Sequence, residues 1–189
     1  IAAVTLAPSE IGRLTPTGRY VESIVEMMLD ATRQYDQPLT EERLFGWHAS
    51  LFPAGRSGLV KIRAGAWRND RSGQMQLVSG AIGKERIHHA APSAERLAAE
   101  MPTFLDWYSE QQGMDPVLKG SLAHPWFATI HPFDDGDGRI ARAIADMALA
   151  RSEETAQRFY RTSVQIRVER NAYYDTLEAT QKKSMSVTN

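Results

Sequence analysis

A histidine, three aspartates, two glycines and two arginines fall within the twelve residues from His131 to Arg142, HPFDDGDGRIAR, and such a set can bind a phosphate group and assist attack on it. Gly136 and Gly138 let successive backbone N–H groups converge on an anion, and a helix that starts at the end of the turn adds unpaired donors and the positive end of its dipole. Arg139 and Arg142 project from neighbouring positions of that helix, where planar guanidinium groups can both reach phosphate oxygens. Asp135 can hold a divalent cation that bridges phosphates. His131 is the candidate proton acceptor, because imidazole exchanges protons near neutral pH. Each residue also has a plainer reading: His131 as a helix cap, Asp134 and Asp135 as solvated loop acids, Arg142 as the partner of Asp146 one turn on. Their conjunction favours the chemistry.

For these residues to act together, a buried helix must break at His131 and Pro132 and another must begin near Gly138 or Arg139. Val117, Leu118, Leu122, Trp126, Phe127 and Ile130 mark the first as strongly buried, started by Asp115 and Pro116. Ile140, Ile144, Met147 and Ala148 line one face of the second, and Phe133 anchors the loop between them in the core. Upstream, Val21, Ile24, Val25, Met28 and Leu29 recur at helical spacing over about 19–33, and Thr40 caps a second helix that runs to about Phe52. Ser93 caps a helix to about Gln112 with Leu97, Met101, Leu105 and Tyr108 inward, and a last helix spans about Gln165 to Lys183.

The glycine-rich stretch 54–90 differs, with short apolar runs at Met75–Val78 and Arg86–His88 that read as a small hairpin. A surface loop is its plainer reading; the functional one is an edge that clamps a ligand or an extended peptide. The elements add up to an all-α, mainly helical domain over 19–183 with one small β-hairpin, an irregular arm over 1–18 and a frayed tail over 184–189.

Composition excludes several alternatives. The 189 residues carry 22 basic and 23 acidic side chains, a net charge of −1 that gives no reason to expect nucleic-acid binding. There is no cysteine, which excludes disulfides and thiolate metal sites and permits a reducing cytoplasm. No apolar run approaches the roughly 20 residues of a membrane span, and the opening lacks the pattern of an export signal, so a cytoplasmic chain is expected. Because it starts at Ile1 rather than methionine, it reads as a piece of a longer protein. A calcium loop counted from Asp135 fails, since Arg139 and Ile140 fall where an acid or amide and a glycine are required. His48, His88, His89 and His124 show no zinc-ligand spacing; His124 reads as structural.

The segment His131–Arg142 resembles the signature of Fic (Fic/Doc) domains, HPFx[DE]GNGRxxR, at every specified position but one, and the similarity extends over about residues 20–183. The resemblance implies a protein adenylyltransferase that moves AMP from ATP to a Ser, Thr or Tyr hydroxyl of a target protein, with Mg2+ and release of pyrophosphate. His131 would then be the base, Asp135 the magnesium ligand, and Gly136 and Gly138 the anion hole. Arg139 would contact phosphate oxygens and Arg142 would reach towards the γ-phosphate. Met75, Gln76, Leu77 and Val78 would belong to a flap that holds the target chain by strand addition.

The departure is Asp137, where the family has asparagine. An ionised carboxylate cannot donate to phosphate and repels it, by on the order of 4 kcal/mol for a pair at about 4 Å and an effective dielectric near 20. Weaker nucleotide binding or altered chemistry follows, and Asp137→Asn is expected to strengthen ATP binding. Many members also carry an inhibitory helix with the pattern [ST]xxxE[GN]; Glu22 is the candidate here, although Gly18 and Ser23 depart from that pattern. On the same fold, removal of AMP, phosphotransfer, or a non-catalytic nucleotide- or protein-binding role are the alternatives. No membrane or nucleic-acid partner is expected, and self-association into a homo-oligomer is compatible with the chain.

Overall fold

The computed structural model describes residues 16–70, 73–79, 86–110 and 114–156, together with 168–169, 172–173, 175–176 and 178–179. The expected tail, most of the N-terminal arm and most of the Gln165–Lys183 helix lie outside these residues.

Helix α1 (Pro16–Arg33) starts three residues before the apolar periodicity does and buries Met27 and Ala31. Its C-terminal carbonyls are closed from the next helix: the Arg43 guanidinium donates to Asp30 O (3.0 Å), Gln34 O (3.1 Å) and Gln37 O (3.2 Å), and pairs with the Asp30 carboxylate (2.9 Å). Helix α2 (Glu41–Leu51) has the expected cap, Thr40 accepting from the Arg43 N–H at 3.2 Å, with Glu41 and Glu42 in its first turn. It turns Leu44, Trp47, His48 and Leu51 into the core.

Two antiparallel hairpins follow. Strands β1 (Arg56–Ser57) and β2 (Val60–Lys61) pair Arg56 with Lys61 and Ser57 with Val60; two-residue strands carry no periodicity, so this hairpin is an addition to the single one expected. Strands β3 (Gln76–Ser79) and β4 (Arg86–Ala90) form the expected hairpin, with a bulge between Leu77 and Val78. Ala91 N–H donates to Met75 O (3.0 Å) and closes its base.

A 3-10 turn (Ala94–Arg96) leads into α3 (Leu97–Ser109). Ser93 occupies the cap position but makes no cap bond; Asp70 reaches across and accepts from the Ala94 N–H at 2.7 Å. Leu97, Met101, Phe104 and Tyr108 face inward. Helix α4 (Pro116–Ile130) begins as expected, Asp115 accepting from Val117 and Leu118 N–H at 2.9 and 3.1 Å. Its buried face differs from expectation. Gly120, Ala123, His124, Phe127, Ala128 and Ile130 are inside, whereas Val117, Leu118 and Leu122 are exposed. The reason is the approach of α5 (Asp137–Glu153): a Cβ on Gly120 would stand 3.2 Å from Ala145 O and 3.3 Å from Ala148 Cβ, so small residues must face the neighbouring helix. Among the described residues no helix is long and apolar enough to cross a membrane.

His124 is structural, buried with Nε2 2.7 Å from the Tyr173 hydroxyl. Burial, then the nearby Arg142 charge, push it down to about 4. Protonation therefore favours the unfolded chain. The neutral imidazole's contribution is full above about pH 6.5 and is lost as pH falls towards 4, a change on the order of 3 kcal/mol. In urea unfolding at pH 7 and pH 4.5, His124→Gln is expected to lose less stability on acidification than the wild type; equal losses would contradict the assignment.

Candidate active site

His131 caps the C-terminus of α4 in the left-handed conformation, φ 50 and ψ 60, a backbone state that costs a side-chain-bearing residue about 1–2 kcal/mol. Several bonds hold it there. Its N–H donates to Phe127 O (3.0 Å), its carbonyl accepts from Arg68 Nε (2.7 Å), and Pro132 O accepts from the Arg68 N–H (2.9 Å). The ring is half-buried, with Nδ1 3.4 Å from Ala128 O and Nε2 3.2 Å from Asp137 Oδ2.

Phe133 is fully buried, stacked on His48 with centroids 4.1 Å apart and tilted against Trp67 at 5.0 Å. His48 in turn fixes the loop. Its Nδ1 accepts from the Gly65 N–H at 3.0 Å, which leaves the proton on Nε2 to donate to Asp135 O at 3.0 Å. Burial keeps His48 below the usual histidine range, so it serves as a neutral strut. Asp134 accepts from the Arg63 N–H at 2.8 Å, and so one of the two adjacent acids is spent on the loop's own attachment.

The other, Asp135, accepts from the Ser57 hydroxyl, the Gly136 N–H (2.5 Å) and Arg139 Nη2 (3.1 Å). Burial opposes its ionisation, but the Ser57 bond, the Arg139 charge and the Gly136 bond outweigh it and hold the carboxyl below its ordinary value. Gly136, at φ 96, forms the cap of α5 with no side-chain cap bond among the described residues; the Arg139 N–H turns back to Gly136 O at 2.9 Å, so the helix start offers an anion its dipole and the Gly138 N–H. Around Gly138 none of the described residues lies within 4 Å of the place a Cβ would take. Arg139 lies over the Phe52 ring at 4.9 Å and the Tyr20 ring at 5.3 Å, and donates from Nη1 to the Tyr20 hydroxyl at 2.5 Å. Arg142 is half-buried one turn further along α5.

Asp137 is placed differently from the residues around it. Its carboxylate is turned into the protein, Oδ1 accepting from the Phe133 N–H at 3.0 Å and Oδ2 buried without a hydrogen-bond donor among the described residues, facing His131 Nε2 at 3.2 Å. Burial pushes Asp137 up to about 6, against the pull of His131 and of the Phe133 bond. It therefore does not confront a phosphate across open space; its charge sits behind the loop and against the histidine.

The fold thus brings His131, Asp135, Gly136, Asp137 and Arg139 together. Glu22 makes no ion pair with these residues among those described. On α1, Tyr20 and Met27 share a face, whereas Glu22 lies roughly 160° round from Tyr20 at 100° per residue; among the described residues neither Arg139 nor Arg142 pairs with Glu22. Backbone pairing of the β3–β4 hairpin is described, and a cavity of about 700 Å3, lined in part by Arg63, Asp70, Met75 and Asp134, joins its base to the His131 loop. Sequence reasoning passed over His48, Ser57 and Arg68. His48 had one legible signal, an inward position on a capped helix; the other two lie in a stretch without periodicity.

Known proteins resemble the chain in sequence and in fold. The model of the Fic/DOC family matches residues 38–149. A protein adenylyltransferase Fic of Nematostella vectensis is 35% identical over 66 residues, 34% of this chain and 16% of that protein. A uridine 5'-monophosphate transferase of Xanthomonas campestris is 31% identical over 123 residues, 60% of this chain and 21% of that protein. The crystal structure of a Fic family protein from Desulfovibrio desulfuricans superimposes with a TM-score of 0.65 at 27% identity, over 95% of this chain and 48% of that one. The chain spans less than half the length of each of these proteins.

Proposed function

The chain belongs to the Fic/DOC family, and from that premise we propose that it transfers AMP from ATP to a hydroxyl side chain of a target protein. The observation that carries this reading is the His131 loop itself: a histidine held in a constrained turn beside an uncapped helix start, an open glycine and Arg139. In this reaction the target oxygen attacks the α-phosphorus, the bond to the β-phosphate oxygen breaks, pyrophosphate leaves, and the hydroxyl proton passes to the His131 ring. The α5 N–H groups and Arg139 stabilise charge on the phosphates, where positioning and neutralisation supply most of the catalysis. The absence of cysteine suits a reducing compartment, and the cytoplasm is the place of action in this reading.

Mg2+ fits the residues present. Among the described residues no group of three or more acids and histidines could hold a metal alone. Magnesium, however, is commonly bound through one or two carboxylates, substrate phosphates and water, and Asp135 is an ionised carboxylate at the mouth of the loop. Bound there, the ion would neutralise phosphate charge. Tyr20 is the α1 residue bonded to Arg139, so restraint by α1 would act through that contact, with Glu22 the other α1 candidate.

Asp137 weakens this chemistry from behind, by engaging Nε2 of the base and by adding negative charge. At an effective dielectric near 20 a unit charge about 10 Å from a phosphate costs on the order of 1.7 kcal/mol. Asp137→Asn is therefore expected to bind ATP roughly tenfold more tightly in calorimetry, while its amide still accepts from Phe133 N–H; unchanged or weaker affinity would contradict this role.

The test of the function is incubation with magnesium and labelled nucleotides. Protein labelled by α-labelled ATP supports AMP transfer. γ-Label on protein would show phosphotransfer instead, and neither label would leave AMP removal or simple binding. A second reading, transfer of a uridylyl group, is favoured by the relative named as a uridine 5'-monophosphate transferase, which matches 60% of this chain; α-labelled UTP in the same assay decides it.

A further inference from the structure

We propose that Arg68 is a positioning residue that couples the base of the β3–β4 hairpin to the His131 turn, setting the strand that receives the target segment and the base that deprotonates it in one frame. The role in transfer rests on the reading given above; the coupling itself does not.

Arg68 is 3% exposed, and its guanidinium is spent on framework. Nε donates to His131 O at 2.7 Å, Nη2 to Pro92 O at 2.5 Å, and Nη1 to Asp70 Oδ1 at 2.6 Å. Its own N–H donates to Pro132 O at 2.9 Å, so one residue grips both peptide carbonyls of the left-handed turn. Pro92 directly follows Ala91, whose N–H closes the hairpin on Met75 and whose carbonyl accepts from Gln74 Nε2 at 2.8 Å. Asp70 extends the frame by accepting from the Ala94 N–H. A separate tie, His89 Nε2 to Thr129 O at 2.9 Å, joins β4 to α4 two residues before His131.

The chemistry of the side chain explains why arginine stands here. A planar fork can bond two carbonyls and a carboxylate in fixed directions at once, whereas a lysine is a point charge that cannot span them. None of the three bonds is made to a residue expected to meet nucleotide. The guanidinium therefore transmits position without contributing to the binding of ATP.

Arg68→Lys and Asp70→Asn in the full chain test this, the second keeping the guanidinium while weakening its ion pair. Arg68→Lys is expected to lower α-label transfer at least tenfold with the ATP dissociation constant within twofold, to speed amide exchange at 76–79 and 86–90 at least tenfold, and to shift the His131 ring resonances. Asp70→Asn should move the same readouts less, and it carries the test if Arg68→Lys does not fold. Unchanged hairpin exchange, faster exchange without a His131 shift, or ATP affinity and transfer falling together in step with the melting temperature would overturn the proposal. Should the wild type transfer no label, the function fails on its own, while exchange and the histidine resonances still decide the coupling.

Discussion

Replacing His131 by alanine is expected to abolish protein labelling from α-labelled ATP, a loss of at least two orders of magnitude, while ATP binding changes by no more than a few-fold. The size follows from the role: a positioned general base contributes about 10^2–10^4 to rate, and Asp137, the neighbouring carboxylate that could otherwise take the proton, is buried behind the His131 ring. The selectivity follows from the geometry. The ring touches Ala128 O and Asp137 rather than the glycine turn, so phosphate binding by the α5 start and Arg139 survives its removal. Folding is expected to survive as well, because the turn is held through backbone groups of residue 131, and alanine carries the same left-handed cost of about 1–2 kcal/mol that histidine already bears there. Residual labelling above about one per cent in a variant that binds ATP normally would mean that another group accepts the proton.

Gly136→Ala is the second large effect. Gly136 adopts φ 96, which side-chain-bearing residues rarely reach, and a Cβ there would stand 3.0 Å from Phe52 Cε2 and 3.6 Å from His48 Cδ2. The contact with His48 is an ordinary one, but Phe52 must give way. Phe52 lies under the Arg139 guanidinium at 4.9 Å, so relief of the close approach displaces the phosphate arginine. Backbone strain and overpacking together cost about 3 kcal/mol, equivalent to a fall of roughly 6–12 °C in melting temperature for a domain of this size. ATP affinity is expected to drop at least thirtyfold. Gly138→Ala is the matched control: none of the described residues lies within 4 Å of its Cβ, and its melting temperature should stay close to that of the wild type. Equal melting of the two variants would show that the loop does not depend on the conformation of Gly136.

Much of this was legible in the chain. Apolar spacing, the Thr40 and Asp115 caps and the proline after His131 located α1, α2, α4 and α5 within a few residues, because each signal acts over one or two helical turns. The same locality explains the misreadings. Periodicity put Val117, Leu118 and Leu122 inside because α4 is apolar nearly all round, and only the close crossing of α5 at Gly120 shows that the small-residue face is the buried one. Ser93 looked like a cap, but the acceptor is Asp70, 24 residues away. The β1–β2 hairpin was invisible because a two-residue ladder has no period.

By itself, the sequence determined which reactive groups this protein has and the order in which a helix, a turn and a second helix present them: His131, Asp135, the two glycines and the arginines lie within a dozen consecutive residues. Tertiary structure decided where those groups point. Asp135 is held by Ser57, 78 residues away, its carbonyl by His48 at a separation of 87, and the His131 turn by Arg68 at a separation of 63. Asp137, which local chemistry places against phosphate, is drawn inward to Phe133 N–H and His131. Residue type and spacing are local properties, whereas the direction of a side chain is set by whichever partner the folded chain brings within about 3 Å, and those partners are distant in sequence.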